Sequence, residues 1–125
     1  SDPKQRARLA EAKPKGGTFV VDAPLAIVIC ADPEKCDVWI EDCSIAAIIL
    51  QLAALDLGLD SCWSQIRRRK HISGDMASDY LREVLNLPES FEVHAVIGIG
   101  YAAEDKTGHP REGLPYQKIH INRYS

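Results

Sequence analysis

Four cysteines, four histidines and one basic run hold the chain's reactive side chains, and none is spaced as a hydrolytic or metal centre. Cys30, Cys36, Cys43 and Cys62 lack paired C-x-x-C spacing and fall in segments that read as a strand, two helices and a buried corner. As such they are small apolar fillers of a reducing compartment rather than disulfides or metal ligands. Cys36 and Cys43 are seven apart and share a helix face in this reading, but no histidine or carboxylate accompanies them at ligand spacing. Among the histidines, His71, His109 and His120 read as loop or tail residues. His94 lies in a strand, where a hydrogen-bonded structural role is the default. No G-x-S-x-G, H-E-x-x-H, phosphate-binding loop or G-x-G-x-x-G occurs. Gly98-Ile99-Gly100 lacks the third glycine and the following helix of a dinucleotide fingerprint. No catalytic side chain and no metal ligand is assigned, which leaves cofactor chemistry, with the protein supplying the pocket.

The place for such a pocket is the stretch from Asp37 to Arg67, DVWIEDCSIAAIILQLAALDLGLDSCWSQIR. Between Cys43 and Leu57 only Ser44, Gln51 and Asp56 are polar, so the helix has no single amphipathic face and must be buried on most sides. A core centre or a subunit interface is the expected solution. Gly58 supplies the positive φ that ends the helix, Leu59 the apolar contact beyond it, and the chain runs directly into Ser61-Cys62-Trp63. Trp39 and Trp63 read as core or interface residues. The run Arg67-Arg68-Arg69-Lys70-His71 reads as a solvated loop or helix start, with an anion site as the lesser alternative.

Other elements must position that junction. Asp2-Pro3 caps a helix that ends before Lys13-Pro14, and Lys15-Gly16-Gly17 turns the chain. LAIVICA, after Ala23-Pro24, is a strand covered on both faces. Asp32-Pro33 opens the long helical region, with a break near Asp37. A loop or short helix through Arg69 precedes a helix from about Met76 to Leu85, whose inner face carries Tyr80, Leu81, Val84 and Leu85. Asn86-Leu87-Pro88 stops it. Phe91 to Tyr101 is a second buried strand, and Gly98 and Gly100 leave a trough on one face for a packed helix or a flat ligand. Glu104 to Leu114 is a surface loop, and the partly alternating tail YQKIHINRY is an extended arm.

Composition sets the frame. The 125 residues, 46% hydrophobic and 26% charged, are read as one domain, 1–125. A net charge of −3 and pI of about 5.8 give no reason to expect a nucleic-acid or membrane-surface partner. The apolar helix is shorter than the roughly 20 residues that span a bilayer, and Ser1 to Leu9 lacks an apolar signal core, so a soluble cytoplasmic protein is expected.

The order APLAIVICADPEK, WIEDCSIAAIILQLAALDLGLDSCWSQIR, LREVLNLPESFEVHAVIGIGYAAEDK and HPREGLPYQKIHINRY resembles the C-terminal two-thirds of the nitroreductase family of flavin oxidoreductases. The combination of E-D-x-S/A-I-A, L-G-L-x-S-C-W, L-N-L-P, I-G-x-G-Y and a final N-R-Y is more specific than any one piece. The resemblance implies an α+β fold, an α/β/α sandwich with a mainly antiparallel sheet. It also implies an intertwined homodimer with the long helix at its centre and the C-terminal arm wrapped on the other subunit. FMN would lie at the interface, with NAD(P)H and a small-molecule electron acceptor, nitroaromatic, quinone or similar, binding in alternation over it.

By the same resemblance, Ser64, Gln65 and Ile66 match the loop whose backbone amides meet the flavin N5 and O4 edge. Gln65 and Ile66 depart from the family's usual glycines. His109 and Arg111 match the basic pair that reaches the FMN phosphate, with the arginine suited to charge-assisted, bidentate contact. The family's N-terminal Arg-Ser-x-Arg region, its second helix and its first strand have no counterpart in this sequence. The expectation is therefore a shortened or clipped relative with weakened flavin binding and an uncovered sheet edge. The alternatives are a flavin-free, non-catalytic homodimer and a small-molecule binding domain with Gly98, Gly100 and Trp63 lining its pocket.

Overall fold

The computed structural model describes residues 2–124. Its centre is β3 (Glu92–Gly100), whose residues Val93 to Ile99 are all buried. β1 (Leu25–Ala31) and β2 (Asp60–Gln65) pair with it on either side, both antiparallel, in the order β1-β3-β2. A strand flanked on both edges and covered on both faces has no polar side to present, which is why its sequence is nearly continuous apolar. The register with β1 slips between Ile29 and Cys30: Ile29 faces Ala95 but Cys30 faces Val93, and His94 is the bulged residue. A bulge puts two successive side chains on one face of a strand, and this one sends His94 to the same side as Ala95.

Two apolar clusters lie on the two faces of the sheet. On one, α1 (Pro3–Ala10), α2 (Phe19–Asp22) and α4 (Ala77–Leu85) pack through Leu9, Ala10, Val20, Leu81 and Val84 against Val93, Val96 and Val28. On the other, α3 (Trp39–Asp56) lies over Ile27, Ile29, Ile97 and Ile99. This is the expected three-layer α+β sandwich with an antiparallel sheet. α3 approaches the sheet closely because Cys43, Ala47 and Ala54, all buried, are small. Its outer face is bare: Ile45, Ile48, Ile49, Leu52 and Leu55 are 50 to 66% exposed. Burial on most sides is therefore not achieved within this chain.

The helix ends follow their sequence signals. Asp2 accepts the Lys4 N–H at 3.0 Å and Pro3 opens α1. α1 stops at Ala10, ahead of Lys13, whose helical conformation Pro14 disfavours. Gly58 has φ of +72°, and the Gly58 and Leu59 N–H groups return to the Leu55 and Ala54 carbonyls, closing α3 as the sequence indicates. Asn86, at φ +51°, does the same for α4, with the Leu87 N–H bonded to the Arg82 carbonyl at 2.9 Å.

α2, β2 and the 3₁₀ turns Arg111–Gly113 and Tyr116–Lys118 are not apparent from the sequence. α2 is a single turn, too short for periodicity to register. DSCWSQ reads as a corner and a loop because it lacks strand composition, and its pairing with β3 makes it a strand. Cys62 is accordingly exposed on β2 rather than buried in a corner, and Cys36 lies in the turn before α3, not in a helix, its thiol donating to Asp42 Oδ2 at 3.3 Å. All four cysteines are free, and burial pushes the Cys30 and Cys43 thiols up, away from thiolate. No cluster of metal-ligating side chains occurs among the described residues.

Candidate functional site

The end of β2 carries three of the five residues singled out by the sequence. Ser64 and Gln65 close the strand and Ile66 follows it, so they are a strand terminus rather than a free loop. Ser64 is buried against the turn after α1, its hydroxyl donating to the Gly16 carbonyl at 3.3 Å. Ile66 is buried in the cluster of α1, α2 and α4. The Ile66 and Arg67 N–H groups both donate to the His94 carbonyl, at 3.2 and 3.0 Å. Both amides therefore face β3. Antiparallel alternation then turns the Gln65 N–H the other way, toward the free edge of β2. The Gln65 side chain lies along that edge, accepting the Trp63 indole N–H at 3.0 Å and donating to the Arg67 carbonyl at 3.0 Å. Both its polar atoms are spent locally. The next residue, Arg68, is held at φ +59°, a left-handed conformation unusual outside glycine.

Behind this edge stands His94, which the sequence assigns a hydrogen-bonded structural role in a strand and no part in the site. His94, 4% exposed, sits between Trp39 and Trp63, its ring edge-on to each at centroid distances of 6.1 and 5.5 Å. Its Nε2 is 3.1 Å from Ser44 Oγ, and Nδ1 is buried with no partner. Burial, and next the nearby Arg67 charge, lower its pKa below the ordinary value. The Arg67 guanidinium itself lies 5.8 Å from the Trp39 ring centroid, in cation–π range. The signal in the sequence is a histidine inside the buried run Val93 to Ile99.

His109 and Arg111 are exposed on the C-terminal segment, in extended chain and at the start of a short 3₁₀ turn, Arg111–Gly113. No hydrogen bond or ion pair joins either side chain to residues 64–66 among the described residues. The Gly98 and Gly100 trough is filled by protein: a Cβ at Gly98 would stand 2.8 Å from the Phe19 ring, and one at Gly100 2.6 Å from Pro24. Trp63 belongs to the opposite face, so these three residues do not line a common pocket. Two surface hollows of about 480 and 440 Å³ lie round His71, which stacks on Tyr80 at 4.3 Å, and neither includes residues 64–66.

A three-layer sandwich with this strand order, this bare central helix and this strand terminus agrees with the family signature in the sequence: the family model "Nitroreductase family" matches residues 2–101, and the chain belongs to that family. A protein of Archaeoglobus fulgidus with the provisional name NADH dehydrogenase/NAD(P)H nitroreductase is 36% identical over 94 residues, 72% of this chain and 51% of that one. One of the same name from Methanothermobacter thermautotrophicus is 31% identical over 112 residues, 86% of this chain and 54% of that one. The chain thus spans about half the length of these curated relatives. Among solved structures, an FMN-dependent nitroreductase of Clostridium difficile superposes with a TM-score of 0.94 at 46% identity, over 98% of this chain and 72% of that one.

Proposed function

We propose that this chain binds FMN as a homodimer and serves an NAD(P)H-dependent oxidoreductase acting on small acceptors of the nitroaromatic or quinone type. The observation that carries the reading is the end of β2: an N–H turned to an open sheet edge, backed by a Trp63–Gln65–Arg67 hydrogen-bond chain. Those residues fit a flavin rim. Gln65 N–H is the donor available to the ring edge, while the Ile66 amide holds the loop to β3. Bound FMN would supply a hydride acceptor and donor, chemistry that none of this chain's own side chains offers. The protein's part is to orient the ring, exclude water and set the electrostatics around it. Arg111, with His109 beside it, is the proposed phosphate contact, reached by the exposed C-terminal segment once a second copy is present. The exposed aliphatic face of α3 supports that dimer. Free, unpaired cysteines support a cytoplasmic setting, and no described helix is long and apolar enough to cross a membrane. We take the layered unit and the C-terminal segment that follows it as one functional module.

The test is the visible spectrum of the purified chain after FMN is added and free flavin is removed by desalting, with NADH and NADPH oxidation assayed beside it. Retained flavin bands that bleach with a nicotinamide donor support the reading. Complete loss of flavin from a stable dimer would leave the flavin-free, non-catalytic alternative, which the occupied Ile66 amide favours.

A further inference from the structure

The candidate site stands on one buried group whose ring nitrogens are unequally satisfied. The bulge brings His94 to the α3 face, where it meets three parts of the chain at once. Its carbonyl takes the Ile66 and Arg67 N–H groups. Its ring reaches Ser44 on α3 and lies edge-on to Trp39 of α3 and Trp63 of β2. The Ser44 hydroxyl donates its only proton to the Ile40 carbonyl at 2.7 Å, so toward His94 it is an acceptor. The hydrogen-bond network therefore assigns the proton of the neutral ring to Nε2 and leaves Nδ1 as a bare lone pair inside the protein.

We infer that His94 is a positioning residue: its neutral ring clamps the end of β2 to α3, and the strand terminus keeps its ligand-receiving shape only in that form. The inference rests on the proposed flavin reading. A proton added to Nδ1 would create a buried cation with no acceptor, beside the Arg67 guanidinium. The elements packed round the ring offer nothing to offset it. α3 contributes Trp39 and Ser44, both neutral, and the first-turn carboxylates Glu41 and Asp42 are exposed. β2 contributes Trp63 and the Gln65 amide, and β1 carries no charge at all. On β3 itself, Glu92 is engaged by Ser78 and Arg82 of α4. Arg67 alone acts electrostatically on the ring, and it opposes the charge. Relief requires the ring to leave the Trp39–Trp63 slot. Its backbone carbonyl, the anchor of residues 66 and 67, is drawn along with it.

The experiment uses the whole chain and two readouts. FMN dissociation constants are measured by flavin fluorescence from pH 7.5 to 4.5 for the wild type, His94→Gln and His94→Phe. In parallel, hydrogen exchange at the Ile66 and Arg67 amides and tryptophan fluorescence are followed in the flavin-free chain. Glutamine keeps a donor to Ser44 but does not titrate, and the FMN phosphate's own titration is common to all three proteins. Wild-type affinity is expected to fall about tenfold for each pH unit below the native His94 pKa, because only the neutral fraction binds. His94→Gln is expected to bind like the wild type at pH 7.5 and to lack this fall, whereas His94→Phe binds weakly throughout. Identical pH profiles for wild type and His94→Gln overturn the inference. Should the wild type bind no FMN at any pH, the flavin reading fails, and the second readout decides by itself. Faster exchange at residues 66 and 67 with a tryptophan transition on acidification, both absent from His94→Gln, supports the clamp. Their presence in both proteins refutes it.

Discussion

At the scale of single residues, the buried polar groups are the most sensitive points of the chain. Ser78, 3% exposed on α4, accepts the Val93 N–H at 2.8 Å and donates to Glu92 at 2.7 Å, joining helix to central strand. Arg82 bonds to Asp79 and the Phe91 carbonyl beside it. Ser78→Ala strands a buried backbone donor and is expected to cost about 1–3 kcal/mol in urea unfolding; a change under half a kilocalorie would show that water replaces the hydroxyl. His94 contributes to the acid limb of stability. Its native pKa lies below the ordinary 6.5, so between the two values the unfolded chain binds more protons than the folded one. Stability is full above about pH 6.5 and declines as pH falls toward the native value. His94→Gln is expected to flatten that part of the profile. An unchanged slope would mean that other groups govern it.

At the scale of elements, close approach and helix termination do most of the positioning. α2 and Pro24 press on β3 where Gly98 and Gly100 leave no side chain. Gly98→Ala drives a methyl group against the Phe19 ring and is expected to cost about 1–3 kcal/mol by calorimetry, as overpacking does. Adding Phe19→Leu should recover part of the loss, and no recovery would place the strain in the backbone instead. The end of α3 depends on Gly58 at φ +72°, with open space around it. Gly58→Ala therefore reports conformation alone and is expected to lower stability by about 1 kcal/mol. Asn86→Gly, at the corresponding position of α4, is expected to be neutral or stabilising in the same assay.

At the scale of the whole molecule, the outer face of α3 and the C-terminal segment do not find their partners within one chain. Leu55 is 66% exposed on α3, and Ile119, Ile121 and Tyr124 are 69, 82 and 87% exposed beyond the sheet. A second copy covering both is the proposed assembly. Ile48→Glu and Leu52→Glu are each expected to convert a dimer to a monomer in sedimentation velocity, with flavin retention lost together with the dimer. A variant that stays dimeric would move the interface elsewhere.

Much of this was written in the chain before folding. The apolar helix and its glycine end, the two continuous apolar strands, the α4 stop at Asn86 and the family pattern are local or periodic features, and local sterics with burial suffice to specify them. The sequence also marked the segment Ser64-Gln65-Ile66, but not that β2 would be a strand, since DSCWSQ acquires that state only by pairing with β3. Nor could it show that His94 would be bulged onto the α3 face, because a register slip depends on how β1 meets β3. Which amide at the end of β2 is spent on β3 and which faces the open edge was decided by tertiary structure. Hydrogen bonds between segments far apart in sequence leave no local trace in either one.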